Sequence, residues 1–319
     1  MKAVRVRQFG APEEMKVEEV PELNPGPGQV LIKVYGAGVN PVDAYIRSGS
    51  YKVKPELPYT PGFDAAGIVQ AVGGGVKRFT EGDRVYTAST LTGGYAEKAL
   101  INESNLHPLP WNLSFSEGAS LGIPYATAYR ALWQKACARP GETLLIHGAS
   151  GGVGIAAVQI ARGSGMKVIG TAGTEKGLKL VKEQGADYVF NHKDDGYFEK
   201  IRAACGGGPD IILEMLANVN LQKDLEILAK GGRVIVIGCR GEIQINPRLM
   251  MSNDISVIGM TLFNASKEDL DMVHAGLQGG GKAGFLKPVI GTEMPLAGAV
   301  KAHHQVMEDS AHGKIILKP

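Results

Sequence analysis

Cysteine is scarce in this chain. Among 319 residues there are three, Cys137, Cys205 and Cys239, far apart and in no Cys-x-x-Cys pair. An odd, scattered set excludes a disulfide framework and reads as free thiols in a reducing compartment. An excess of one charge is also lacking, with 34 basic residues against 32 acidic ones and a formal net charge of +2. No acidic or basic tail is present, so charge by itself argues for neither a nucleic-acid nor a membrane partner. Uncharged apolar runs stay below the ~18 residues of a transmembrane helix. No basic, then apolar leader with a small-residue cleavage site opens the sequence, and the expectation is a soluble cytoplasmic protein.

Glycine is abundant instead. The 44 glycines are about twice the usual ~7% share. They show no Gly-X-Y period, which excludes collagen. Together with 17 prolines they fall short of the ~25–30% that marks low-complexity sequence. Hydrophobic residues at 44% and charged residues at 21% match a globular protein with a substantial core. At roughly 150 residues per domain, the length predicts two domains.

The first third reads as β. Val4 and Val6 alternate with arginines, and Gln29–Val34, Ala66–Val72, Asp83–Thr87 and Tyr95–Ile101 are short apolar stretches between Gly/Pro turns. This spacing predicts a barrel-like or sandwich-like β domain. Ser114 and Glu117 then form a capping box, and strand and helix signals alternate. Strands are predicted at Thr143–His147, Lys167–Thr171, Tyr188–Phe190, Ile211–Met215, Arg233–Ile237 and Ile255–Ile258. Helices are predicted at Val153–Arg162, Thr174–Gln184, Tyr197–Ala204 and Leu221–Lys230. That order predicts an α/β fold with a doubly wound parallel sheet. The tail from Ala265 carries two helix candidates and two short strands, Pro288–Ile290 and Lys314–Leu317, and fits either domain.

His147-Gly148-Ala149-Ser150-Gly151-Gly152-Val153-Gly154 follows a predicted strand and opens a predicted helix. Glycines there let the backbone approach a pyrophosphate, and a helix N-terminus offers free N–H donors. Ala149 stands where the G-x-G-x-x-G pattern begins, with Gly151 and Gly154 in the other two places. An NAD-preferring site places a carboxylate at the end of the next strand to hold the ribose 2′-hydroxyl. Here that strand runs into Gly170-Thr171-Ala172-Gly173-Thr174, and Glu175 lies one step past the expected place. Thr174, Lys176, His192 and Arg240 could donate to a 2′-phosphate. Two charge-assisted hydrogen bonds give about a 10²–10⁴-fold preference for NADP(H). None of the seven histidines, His107, His147, His192, His274, His303, His304 and His312, stands at ligand spacing from a cysteine, and no metal is expected.

Gly38-Val39-Asn40-Pro41-Val42-Asp43, Pro61–Gly67, Gly82-Asp83-Arg84-Val85, Gly93-Gly94-Tyr95-Ala96-Glu97 and Gly148–Gly154 occur in one order. The chain thereby resembles the quinone oxidoreductase branch of the medium-chain dehydrogenase/reductase superfamily. Tyr45–Tyr51, Ile123–Leu132, Glu214–Leu221 and Leu286–Gly291 resemble its zeta-crystallin group, and the likeness covers essentially the whole chain. Zinc-dependent members have a cysteine where this chain reads Asn40 or Pro41 and a histidine at Phe63, so the resemblance implies a zinc-free enzyme. Without a Lewis acid a simple ketone lacks its main electrophilic aid, whereas quinones accept electrons readily. The resemblance implies NADPH-dependent quinone reduction, with ortho-quinones favoured and one-electron products. It implies a Rossmann-type domain over residues 119–261 and a GroES-like catalytic domain over 1–118 and 262–319, with the pocket in the cleft between them.

By position, Tyr45, Ser150, Gly151, Gly152, Val153, Gly173, His192, Asn220, Ile237, Gly238, Cys239 and Arg240 would contact NADPH, with Lys176 beside them and Thr261, Leu262 and Phe263 at the nicotinamide end. Asn40, Tyr45, Tyr51 and Thr127 would line the quinone pocket. No nucleophile or acid–base dyad stands out, and positioning would do most of the work. A homotetramer is implied, as is a possible second role on AU-rich mRNA, although no RNA-binding motif or basic stripe supports the latter. Alkenal double-bond reduction and a structural role in lens are the alternatives.

Overall fold

The computed structural model describes residues 1–308 and 312–319, which divide into two compact units. One unit holds Met1–Ile123, Gln278–Asp309 and Gly313–Pro319, and the other holds Pro124–Leu277 and Ser310–His312.

The first unit begins with the antiparallel pair β1 (Lys2–Val6) and β2 (Met15–Glu19). It continues through β3 (Gln29–Val39), α1 (Pro41–Ser48), β4 (Asp64–Val72), β5 (Arg84–Thr87), β6 (Lys98–Asn102), β7 (Leu106–Pro108) and α2 (Phe115–Ser120). β3 organises the sheet. β4 pairs along one side of it, and β6 takes the first half of the other side at Gln29–Lys33. The expected strand Tyr95–Ile101 starts only at Lys98, because Tyr95-Ala96 turn away to bridge β1 at Ala3. α2 opens as expected: Ser114 Oγ accepts from Glu117 N (3.2 Å), and Glu117 Oε2 accepts from Ser114 N (2.7 Å).

The second unit runs α3 (Ala126–Tyr129), β8 (Thr143–Ile146), α4 (Gly152–Gly163), β9 (Lys167–Ala172), α5 (Glu175–Glu183) and β10 (Tyr188–Asn191). It continues with α6 (Tyr197–Cys205), β11 (Ile211–Glu214), α7 (Ala217–Ile227), β12 (Arg233–Val236), α8 (Pro247–Asn253), β13 (Ser256–Gly259) and the start of α9 (Lys267–Ala283). Its strands lie parallel in the order β10-β9-β8-β11-β12-β13. β8 and β11 are buried throughout, as both faces of a helix-covered parallel sheet require. Leu145, Ile169, Ile212, Leu225 and Val234 make its core, each worth about 1.5–3 kcal/mol of burial.

The tail returns to the first unit. After β14 (Ile290–Pro295) and α10 (Ala299–Glu308), β15 (Lys314–Lys318) pairs antiparallel with Ala37–Val39 of β3 and parallel with β14. The units part at 123/124 and 277/278, against expected boundaries at 118/119 and 261/262. α9 explains the later second point: Gly276 sits against the Tyr129 ring, and Gly281 near Pro110.

Sequence-distant polar residues meet beneath α1. Asn40 precedes the helix, and its backbone N–H donates to Asp43 Oδ2 (2.9 Å). Its side-chain Nδ2 donates to Asp64 Oδ2 (2.9 Å), which also receives Lys314 Nζ at 3.1 Å. Lys314 Nζ donates as well to Asn40 Oδ1. Asp64 Oδ1 accepts from Ile123 N (2.6 Å). Tyr95 Oη donates to Asp43 Oδ2 (3.2 Å) and lies 3.2 Å from His303 Nε2. Burial pushes the Asp43 carboxyl up to about 7 and the His303 imidazole down to about 3. Lys314 is 5% exposed and Asp64 fully buried, so removing one charge strands the other. Lys314→Met is expected to cost about 3–5 kcal/mol in urea unfolding; a loss below about 1 kcal/mol would show that Asp64 does not depend on this partner.

Candidate functional site

The expected nucleotide-contacting residues of the second unit converge at the carboxyl ends of its strands. β8 leads into Gly148–Gly154, β9 into Gly173, β10 into His192, β12 into Ile237–Arg240 and β13 towards Thr261–Phe263, while Asn220 lies just after β11. The chain steps from β8 outward to β9 and β10, then returns to the other side of β8 as β11. Such a reversal leaves a crevice where loops diverge, and ligands of open α/β sheets bind there.

The turn after β8 is built for close approach. Ala149 N donates to Thr171 O (2.8 Å) and Gly148 N to Thr171 Oγ1 (3.2 Å), fastening the turn to β9. Ser150 is buried, whereas Gly151, Gly152 and Val153 keep access to solvent. The N–H groups of the first turn of α4 have no carbonyl within the helix, so they remain available to an anion. A β-carbon at Gly154 would press into the Ala149 backbone, which makes glycine the residue that lets α4 lie on β8. At the end of β9 a β-carbon on Gly173 would meet His192 Nε2 at 2.6 Å and Lys193 Cε at 3.1 Å. Glycine at 173 is therefore what admits His192 and Lys193 against the end of β9.

Thr174 caps α5, its Oγ1 accepting from Gly177 N (3.1 Å) and lying 2.9 Å from His312 Nε2. His312 is brought beside the end of β9 from far along the chain, and no local motif marks it. Lys176 is exposed. Half-burial and the neighbouring His147 and Lys193 lower the His192 imidazole. Ile237 N (2.9 Å) and Gly238 N (3.2 Å) donate to Glu214 O, and Arg240 N donates to Asn218 Oδ1 (2.8 Å), which fixes the loop after β12. Cys239 is exposed, with Sγ 2.9 Å from Gly241 O. Phe263 is exposed in a short 3₁₀ turn of Leu262–Asn264, after a half-buried Thr261.

A cluster absent from the expectations lies directly beneath these loops. His147, Glu214 and Asp224 are all buried, with His147 Nε2 2.8 Å from Asp224 Oδ1 and 3.6 Å from Glu214 Oε2. Glu214 Oε1 accepts from Leu216 N and, at 3.2 Å, from Asn220 Nδ2. Burial raises both carboxyls to about 7 and lowers His147. The two acids stand 77 and 67 residues from His147 in sequence, in segments otherwise reading as plain strand and helix.

The other expected residues are distributed between the units. Thr127 is buried in α3 of the second unit. In the first unit, Tyr45 is half-buried on α1, its carbonyl accepting from Ser50 N (3.1 Å) and Tyr51 N (3.2 Å), and Tyr51 is half-buried beyond the helix. Asn40 is buried and engaged with Asp64 and Lys314. A cavity of about 630 Å³ opens in this unit between the β1–β2 region and the loops that precede β4 and follow β5. Phe63, Val53, Pro55 and Leu91 contribute apolar wall, and Asp43 and Ile46 line it from α1. Asn40, Tyr45 and Tyr51 are not on its wall.

Comparison with known proteins agrees with this fold. The "Alcohol dehydrogenase GroES-like domain" family description fits residues 26–111, and "Zinc-binding dehydrogenase" fits residues 152–275. A human quinone oxidoreductase is 54% identical over 99% of this chain and 97% of its own length. The structure of an Escherichia coli quinone oxidoreductase complexed with NADPH superposes with a TM-score of 0.91 at 27% identity, covering 100% of both chains. An NAD-dependent alcohol dehydrogenase superposes with a TM-score of 0.92 at 31% identity over 100% of both chains, so the shared fold does not itself choose the nucleotide. The chain belongs to the quinone oxidoreductase family of the medium-chain dehydrogenases/reductases.

Proposed function

We propose that the protein reduces quinones with NADPH. The observation that carries this reading is the glycine turn at the strand-order reversal, with its free α4 N–H groups and a neighbouring strand end that holds Gly173 instead of a carboxylate. The donors fit the ligand: a backbone cradle for a pyrophosphate, and Thr174, Lys176, His192, His312 and Arg240 within the segments around the end of β9 and the loop after β12. NADPH supplies the reducing equivalents when bound. The chain's own residues bind and orient it: Ser150 and Gly151–Val153 at the pyrophosphate, Gly173 and His192 beside the 2′-phosphate, Asn220 and Ile237–Arg240 along the opposite wall, and Thr261–Phe263 at the nicotinamide end.

Asn40, Tyr45, Tyr51 and Thr127 are proposed to receive the quinone. Asn40 Nδ2 and Oδ1 are held by Asp64 and Lys314, so its role there is positioning. Quinones need no carbonyl polarisation by a metal, which suits a chain with Asn40 and Phe63 where zinc-dependent relatives have ligands. Preference for ortho-quinones, one-electron chemistry and binding of AU-rich mRNA rest on the family resemblance. The last is tested by whether NADPH displaces a labelled AU-rich oligomer. Assembly as a homotetramer is proposed through the open edge of β13, the outermost strand of the second unit's sheet. Among the described residues no helix is long and apolar enough to cross a membrane.

NADPH consumption followed at 340 nm should accelerate when 9,10-phenanthrenequinone is added; no oxidation above the uncatalysed background would sink the reading. A panel of quinones and enals separates it from alkenal reduction. Arg240→Glu should weaken NADPH by roughly 10–100-fold while changing NADH by less than about threefold. Equal losses for the two nucleotides would refute a role at the 2′-phosphate.

A further inference from the structure

The buried cluster of His147, Glu214 and Asp224 lies at the reversal of strand order. His147 follows β8 and leads into the glycine turn, Glu214 ends β11, and Asp224 comes from α7. It therefore ties together the two loops that diverge to form the crevice. His147 Nε2 meets Asp224 Oδ1, and Glu214 Oε1 is committed to Leu216 N and Asn220 Nδ2. The remaining oxygens, Glu214 Oε2 and Asp224 Oδ2, are buried without a donor among the described residues. One oxygen from each carboxyl lies within 4.8 Å of the other, with His147 between them in the same cluster.

Two adjacent buried carboxylates with no cation repel strongly, and one proton between them removes both the repulsion and the unmet acceptors. A metal ion would also satisfy three such ligands, since all their donor atoms lie within 4.8 Å. The 2.8 Å separation of His147 Nε2 and Asp224 Oδ1 is instead a hydrogen-bond length. Ligands on a tetrahedral zinc with bonds of ~2.0–2.2 Å stand roughly 3.4 Å apart.

We propose that Glu214 and Asp224 share one buried proton, which holds the loops after β8 and β11 in register for NADPH. His147, Glu214 and Asp224 are positioning residues in this scheme, acting through the glycine turn and through Asn220. With the proton present the two carboxyls together carry one negative charge; without it, two. Among the described residues, the group acting against the charge of Glu214 is His147. Burial lowers the His147 imidazole, with the Phe198 ring packed 5.9 Å from it, and His192 is lowered too. The Tyr197 phenol on α6 is raised by burial and by these same two carboxyls. Lys193 is near enough to His192 to lower it further.

The sign follows from linkage. The carboxyls bind the proton more tightly in the folded protein than in the unfolded chain, so their contribution to stability falls as pH rises from about 4 to about 7. If register requires the proton, NADPH affinity falls as pH rises through 7. The inference rests on the NADPH reading above, and its test separates the two. NADPH fluorescence titrations between about pH 6 and pH 8.5 should show Kd rising roughly tenfold in the wild type. Glu214→Gln keeps an acceptor for Leu216 and gives Asp224 a permanent donor, so its Kd should change by less than about twofold over that range. Asp224→Asn is the second variant should the first fold poorly.

Infrared titration without nucleotide should reveal a protonated-carboxyl C=O band in the wild type that disappears near neutral pH and is missing from both variants. Parallel pH profiles for wild type and Glu214→Gln, no such band, or a stoichiometric metal in the purified protein would each overturn the shared proton. Failure of NADPH to bind at any pH would instead overturn the cofactor reading, with the infrared band still deciding the proton.

Discussion

The site depends on one topological constraint. β8 leads to β9 and β10 on one side, and β11 must return to the other, so the loops leaving β8 and β11 diverge. The N–H groups at the start of α4 face the opening without helical acceptors. Gly154 sets how closely α4 lies on β8, and Gly173 makes room for His192 and Lys193 beside the next strand end. An anionic ligand that spans from the turn after β8 to the end of β9 follows from these features together. Neither the helix terminus nor the glycines would specify it separately.

The buried polar groups divide into two kinds of work. In the first unit, Asn40, Asp64 and Lys314 bind the start of α1 to β4 and to the last strand, so a residue from the chain's end secures a segment near its beginning. In the second, His147, Glu214 and Asp224 join the ends of β8 and β11 to α7, where the backbone ladder stops at the bond from His147 N to Leu213 O (3.1 Å). Both sets are buried charges with few alternatives for pairing, which makes them costly to disturb. The first holds a helix on a sheet, whereas the second controls the mouth of a crevice.

Much of this was legible in the sequence because it is local. The apolar runs at Thr143–Ile146, Lys167–Thr171 and Arg233–Val236 can only be buried strands, and the glycine turn announces itself between the first of them and a helical repeat. The capping box at Ser114 marked its helix start within a residue. What escaped is long-range. α1 was missed because the first third was read as β throughout, although Pro41 suits the first turn of a helix. Lys314 looked like an ordinary charge on a short strand until β15 paired with β3 and placed it 3.1 Å from Asp64. His312 gained meaning through Thr174, and Asp224 through His147, each pairing made by the tertiary fold. Of the expected substrate-facing residues, Asn40 proved to be held by its own neighbours, a condition that only the packed structure reveals.

The central claim is that the second unit grasps the 2′-phosphate of its nucleotide at the end of β9. Calorimetric binding of 2′,5′-ADP and of 5′-AMP tests it most directly, because the two fragments differ in that phosphate and involve no redox chemistry. The account predicts that 2′,5′-ADP binds about 100-fold more tightly, the equivalent of one to two charge-assisted hydrogen bonds. Equal affinities for the two fragments would contradict it.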